Sequence, residues 1–305
     1  MSPSMEQEVG LIGFGEAGAT FALAGEWRER AHAFDCKTDD PADREAMLAA
    51  YAAAQVSGAA LLEQALSGVG LVLSLVTADQ ALAVAEKAAS CLPAGALYCD
   101  MNSVAPQTKQ QAARLIEAAG GHYVDVAVMA PVNPARLSVP LLLSGPEAAE
   151  AGRRLAALGF ARTRLVGEAV GRASSIKMIR SVMVKGMEAL TAECVLAAEA
   201  AGVREEVLAS LDASEKAQSS EKAQSWEDRA DYNLDRMLVH GLRRAAEMEE
   251  VVRTLEGFGT GAAMSRGTVA RQRGMGMLGV KTPREGLSAK ISQIIQSNAR
   301  KADAA

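Results

Sequence analysis

The chain has 305 residues, beyond the roughly 100 to 200 of an ordinary domain, so two domains, or one with a substantial helical extension, are expected. Hydrophobic residues make up 49% and charged residues 23%, and the net charge is -5; this is ordinary globular usage with no positive field for a polyanion, which excludes nucleic acid as an expected partner. Aromatics at 4% are too scarce for a stacking platform, and abundant alanine suits closely packed helices instead.

Cys36, Cys91, Cys99 and Cys194 are widely spaced and form no Cys-x-x-Cys pair, so neither a metal site nor a dithiol redox centre is expected, and all four read as reduced packing residues. The first eight residues have no basic segment or apolar core of signal-peptide length, and no later stretch is uninterruptedly apolar over the roughly 18 residues a membrane span requires. A cytoplasmic protein with no membrane partner is expected.

In chain order, the first predicted strand, 9–14, runs into Gly13, Gly15 and Gly18, spaced Gly-x-Gly-x-x-Gly ahead of the helix-like stretch 19–30. Gly13 permits a tight turn, Gly15 lets the backbone approach a pyrophosphate, and Gly18 lets the helix pack closely on the strand. The phosphates would sit at the helix N-terminus, where free N–H groups and the macrodipole favour an anion. The second strand, 31–35, ends in Asp35, 22 positions after Gly13, where a carboxylate accepts hydrogen bonds from adenosine ribose hydroxyls. Asp35 repels a 2'-phosphate, whereas Lys37 and Thr38 could accommodate one; the cofactor is NAD or NADP, with NAD modestly favoured. A flavin is the less expected occupant.

Further strands are predicted at 71–76, 97–101, 123–128 and 141–144, with a weaker one at 162–166, and helices such as 79–89 and 106–119 lie between them. Pro106 stands where a first helical turn tolerates proline. This alternation gives an α/β fold, a Rossmann doubly wound parallel sheet over 1–168, followed by an all-α C-terminal domain over 169–305. The candidate cofactor residues are Gly13, Phe14, Gly15, Glu16, Ala17, Gly18, Asp35, Val76, Thr77 and Ser103.

After Gly171 the strand signals vanish. A long connecting helix is predicted over 174–201, about 28 residues and about 42 Å at 1.5 Å per residue. Lys177, Ser181 and Glu188 share one face of it, with Lys185 nearby and Arg180 beside; this polar stripe suits an anionic substrate, a charge network between domains, or simple hydration. Further helices are predicted at 228–255 and 288–301. His240, Arg243, Arg244 and Glu247 cluster at helical spacing in the first of these. An arginine there could grip a carboxylate bidentately, and a solvated, salt-bridged face is the alternative. The stretch 257–279, rich in glycine and methionine, is expected to form a mobile lid or a subunit contact. Ser-Glu-Lys-Ala-Gln-Ser occurs twice in tandem, at 214–219 and 220–225, and reads as a duplicated surface turn or helix.

Asp100-Met101-Asn102-Ser103, Asp125-Val126-Ala127-Val128 and the Gly171 to Lys177 segment follow the glycine fingerprint in an order that resembles the β-hydroxyacid dehydrogenase and 6-phosphogluconate dehydrogenase superfamily. The resemblance spans about residues 9 to 200 and extends to the helical C-terminal domain of phosphogluconate-dehydrogenase-like proteins. It implies that Lys177 is the catalytic acid/base, consistent with the chemistry of removing a hydroxyl proton as hydride leaves for nicotinamide. It also implies that Asn102 and Ser103 meet cofactor and substrate; helix capping is their other reading. Two positions depart from the family. Arg180 and Ser181 stand where asparagines are usual, and Met129-Ala130-Pro131 replaces a serine- and glycine-bearing substrate loop, so the family's substrate contacts do not transfer.

The candidate substrate-binding residues are therefore Asn102, Ser103, Arg180, Ser181, His240 and Arg243. The expected activity is NAD(P)-dependent hydride transfer to or from a small polar hydroxy compound bearing a carboxylate. Imine reduction on the same fold and a non-enzymatic dinucleotide sensor are the alternatives. Because an apolar helix surface must be covered, a homodimer through the helical domain is also expected.

Overall fold

Short apolar runs build the sheet. In the computed structural model, which describes residues 8–216 and 224–302, the strands are β1 (Val9–Ile12), β2 (Ala31–Phe34), β3 (Ser57–Gly58), β4 (Leu71–Ser74), β5 (Leu97–Asp100), β6 (His122–Val128), β7 (Leu141–Ser144) and β8 (Thr163–Gly167). They form one sheet ordered β3-β2-β1-β4-β5-β6-β7-β8. Every residue of β1, β4, β5 and β7 is buried, as expected of strands covered on both faces. The covering helices are α1 (Glu16–Ala24), α2 (Arg44–Ala54), α3 (Leu62–Leu66), α4 (Ala81–Ala89), α5 (Pro106–Ala118) and α6 (Ala148–Ala157). One core centres on Leu11, Leu73, Val126 and Phe160, and a second on Val72, Tyr98, Ile116 and Tyr123.

The predicted parallel sheet is parallel except at one place: β7 runs antiparallel to β6. A parallel neighbour needs a crossover, usually a helix, and the segment joining these strands holds only the short 3-10 turn Arg136–Ser138. The two-residue strand β3, exposed at the sheet edge, has no apolar run to announce it.

The all-α second half begins with α7 (Arg172–Ala201) and continues through α8 (Arg204–Lys216), α9 (Trp226–Gly257), α10 (Ala263–Gly276) and α11 (Leu287–Ala302). Contacts divide the chain into two compact units, the first ending at Met178 and the second beginning at Ile179. The second unit packs Ala192, Val195, Leu234, Met237, Ile291 and Ile294 into its own core. The glycine-rich stretch 257–279, expected as a lid or subunit contact, is largely the helix α10 packed against α9. A Cβ on Gly241 would come within 2.5 Å of the Gln272 carbonyl oxygen, so glycine at this crossing serves close helix approach. Most of the tandem Ser-Glu-Lys-Ala-Gln-Ser segment lies outside the described residues; its last residue, Ser225, caps α9 by accepting a hydrogen bond from the Asp228 N–H.

Candidate cofactor and active site

The glycine loop joins β1 to α1. Gly13 has φ +89°, and a Cβ there would stand 2.6 Å from the Leu75 carbonyl oxygen; a Cβ on Gly18 would stand 2.5 Å from the Gly13 carbonyl oxygen. Gly15 differs, since its Cβ would meet nothing within 4 Å. Two of the glycines thus serve the protein's own packing, while the third leaves an open approach to the head of α1, whose first turn carries Glu16, Ala17 and Gly18. The Phe14 N–H donates to Asp35 Oδ2 at 2.7 Å, and the Lys37 N–H donates to Asp35 Oδ1 at 3.0 Å. Asp35 therefore fixes the loop to the end of β2, and each of its oxygens keeps acceptor capacity for a ribose hydroxyl. An open glycine, a helix N-terminus and a half-buried carboxylate are the parts that hold a dinucleotide, and the residues present fit one.

At the neighbouring strand ends, Asn102 is buried and joins two strands. Its Oδ1 accepts the Val76 N–H at 2.7 Å, and its Nδ2 donates to Ser74 Oγ at 3.0 Å. Thr77 is exposed beyond Val76, and Ser103 is half-buried beyond Asn102.

Behind these ends lies a buried polar network. Asp100 and Asp125 are register partners on β5 and β6. From α5, Lys109 reaches both: its Nζ is 2.9 Å from Asp100 Oδ1 and 3.6 Å from Asp125 Oδ1, and it donates to the Asp100 carbonyl oxygen at 2.6 Å. All three residues are buried. Tyr123 donates its hydroxyl to Asp100 Oδ2 at 2.6 Å; burial, with the Asp100 charge, pushes this phenol well above its ordinary range, so it stays a donor. Asp125 accepts the Ser174 hydroxyl at 2.6 Å, the Ser174 N–H at 3.0 Å and the Ser144 hydroxyl at 3.0 Å, while Ser144 Oγ accepts the Ala173 N–H at 3.0 Å. These amides open α7, where no intrahelical acceptor exists, and a carboxylate there also meets the positive end of the macrodipole. Lys177, half-buried, follows Ser174 by about one helical turn.

Residues 8–156 match the model for the NAD binding domain of 6-phosphogluconate dehydrogenase, and residues 198–275 match a domain of unknown function, DUF1932. A solved conserved hypothetical protein from Sinorhizobium meliloti 1021 is 38% identical, with 96% of this chain and 97% of that one covered and a TM-score of 0.75. The chain belongs to the 6-phosphogluconate dehydrogenase-like superfamily. An uncharacterised 28.5 kDa protein of Methanothermus fervidus is 27% identical over 181 residues, a match covering 59% of this chain and 66% of that protein's length. The 3-hydroxyisobutyrate dehydrogenase of Mycobacterium tuberculosis, at 14% identity with 96% of this chain and 99% of that one covered, has a TM-score of 0.69 and is similar in fold. Residues 8–156 of the first unit are accordingly an NAD-binding domain.

Several residues singled out in the sequence fall in the second unit. Glu188 is buried in a bidentate pair with Arg244, one bond being Nε to Oε2 at 2.9 Å, and it also accepts Gln272 Nε2 at 2.8 Å. Arg244, proposed from sequence for a carboxylate ligand, is thus committed to one inside the protein. Lys185 is buried 2.8 Å from Glu247, and desolvation lowers its pKa despite the opposing Glu247 charge. The α7 stripe of sequence analysis is accordingly, at Lys185 and Glu188, a charge network inside the helical unit. Ser181 is buried, His240 is half-buried and Arg180 is exposed. Arg243 is 55% exposed and pairs with Glu247 at 3.3 Å. Sequence reasoning missed Lys109, Tyr123, Ser144 and Ser174. The available signal was charge in buried company, with Asp100 and Asp125 each inside an apolar strand run and Lys109 on the apolar face of α5.

Proposed function

We propose that this protein is an NAD(P)-dependent oxidoreductase that moves hydride between nicotinamide and a small polar hydroxy compound bearing a carboxylate, with Lys177 as general acid/base. The observation that carries this reading is that Asn102 and the helical turn preceding Lys177 are tied to one buried network in the same unit as an open glycine loop. Bound nicotinamide supplies the hydride acceptor or donor. In the oxidative direction Lys177 Nζ, as the free amine, takes the hydroxyl proton while the carbinol hydride departs; in reduction the ammonium returns it. Desolvation by bound substrate promotes the free amine. Of the guanidinium groups the sequence marks for a carboxylate, Arg180 and Arg243 are exposed.

Lys177→Ala is expected to abolish turnover while leaving the affinity for NADH within about twofold, a change under about 0.5 kcal/mol. Fluorescence titration with NADH and NADPH, followed by a panel of hydroxy acids, oxo acids and imines, tests this. Full turnover in Lys177→Ala would refute the assignment, and absence of dinucleotide binding would refute the whole reading. Asp35 favours NAD in the same titration, and exposed Lys37 is the group available to a 2'-phosphate.

The helical unit is also proposed to form a homodimer. Ile179, Met183, Met187 and Leu190 present an apolar stripe along α7, with exposures of 50%, 65%, 39% and 52%, that a second copy would cover. Light scattering should give the dimer mass for the native chain and the monomer mass for Met183→Lys; a native monomer at micromolar concentration would contradict it. A cytoplasmic setting accords with the four free cysteines, and no helix among the described residues is long and apolar enough to cross a membrane.

A further inference from the structure

An ammonium with no exposed surface sits between two carboxylates that share its burial. Such an arrangement adds little to stability over an apolar filling of the same space, because desolvating the charges offsets their attraction. Its distinctive effect is geometric and electrostatic. Asp100 and Asp125 are register neighbours, and two buried carboxylates placed together repel each other unless a cation stands between them. That repulsion would pull Asp125 away from the donors it accepts, the Ser174 N–H and hydroxyl and the Ser144 hydroxyl. The cap on α7 would then be lost.

We infer that Lys109 is a positioning residue for the proposed reaction: by bridging Asp100 and Asp125 it holds the first turn of α7, and so the backbone bearing Lys177, against the strand ends that carry Asn102. Asp100 completes the link, because its Oδ1 accepts both the Lys109 ammonium at 2.9 Å and the Asn102 N–H at 2.9 Å. One cation therefore sets two candidate active-site elements at once. This inference rests on Lys177 being the acid/base, and its test separates the two ideas.

The full-length protein is compared with Lys109→Met, with Lys109→Met combined with Asp100→Asn, and with Ser174→Ala. Lys109→Met should bind NADH within about twofold of the native protein, yet amide exchange in the peptide spanning the first two turns of α7 should rise about tenfold or more while peptides from β1 and α1 stay unchanged. The double variant, having no second carboxylate to repel Asp125, should restore the protection. With an oxo acid that the native enzyme reduces, kcat should fall about tenfold or more in Lys109→Met with KM for NADH unchanged, and recover in the double variant. Native protection of α7 in an NADH-binding Lys109→Met would overturn the inference, as would failure of the double variant to restore it. Should Lys109→Met not fold, Ser174→Ala, which removes one hydroxyl contact, must by itself raise exchange in the same turn, and native exchange there would overturn the inference. Exchange needs no substrate, so unaltered turnover in Lys177→Ala would sink the proposed reaction and leave the positioning result standing.

Discussion

Asp125 Oδ1 accepts the hydroxyl of Ser174 at 2.6 Å across 49 positions of sequence, fastening the middle of β6 to the helix that continues into the second unit. Because Asp125 is fully buried, its removal leaves the Ser174 N–H, the Ser174 hydroxyl and the Ser144 hydroxyl without their acceptor and uncaps α7, while Lys109 keeps Asp100. Asp125→Ala should cost about 2 to 4 kcal/mol through these unsatisfied donors and the lost cap. Asp125→Asn, which keeps one acceptor oxygen, should cost less. Urea unfolding followed by circular dichroism measures both, and equal midpoints for Asp125→Ala and the native chain would show that the network contributes nothing to stability.

The glycine loop separates folding from binding. Gly15→Ala adds a methyl group to open space at an ordinary backbone conformation, φ -73°, so the melting temperature should stay put while NADH affinity drops about tenfold, equivalent to about 1.4 kcal/mol. Gly13→Ala should instead destabilise by about 1 to 3 kcal/mol from its left-handed conformation alone, with the clash on Leu75 in addition. Scanning fluorimetry with and without NADH distinguishes them; a destabilised Gly15→Ala would mean that this glycine too serves packing.

Within the helical unit, Glu188 neutralises Arg244, and both are buried. Glu188→Ala leaves a buried guanidinium without that partner and should cost about 3 to 5 kcal/mol, whereas Glu188→Met with Arg244→Met should come close to neutral. Chemical denaturation of the two variants reads this contrast, and similar losses in both would show that apolar packing cannot replace the pair.

Cys99 is fully buried, and desolvation first, with lesser charge effects, pushes its thiol from 9.0 up to about 12. In the unfolded chain the thiol ionises above about 9, so its contribution is fully present below that pH and is lost between about 9 and 12, at about 1.4 kcal/mol per pH unit. Buried Tyr98 and Tyr123, raised by the same cause, add losses of the same sign above about 10. Lys185 acts oppositely, since its lowered pKa makes stability rise with pH just below its ordinary range. Cys99→Ala should therefore flatten the decline in unfolding free energy between pH 9 and 10, where the tyrosines of the unfolded chain are only beginning to ionise; an unchanged slope would refute the assignment.

Much of this architecture is written locally. Leu71 to Ser74 and Leu141 to Ser144 are apolar runs in a chain where helix and strand periods differ, and both form strands close to their predicted bounds. The glycine spacing foretold a turn at Gly13 because a positive φ is a property of single residues. The antiparallel β7 was not legible, since strand direction depends on the connection's path and no residue in β7 records it. Likewise Arg244 reads as a ligand-binding group until Glu188, 56 positions away, is brought against it.

The sequence by itself determined the order of strands and helices, the glycine turn with its acidic partner Asp35, and the family motifs, because each depends on neighbours or near neighbours along the chain. Tertiary structure decided that Lys109, Asp100, Asp125 and Ser174 form one network and that Arg244 and Lys185 are internal ion-pair partners. The reason is physical. A charged side chain is soluble wherever the chain leaves it exposed, and only packing that removes water forces it to find its partner.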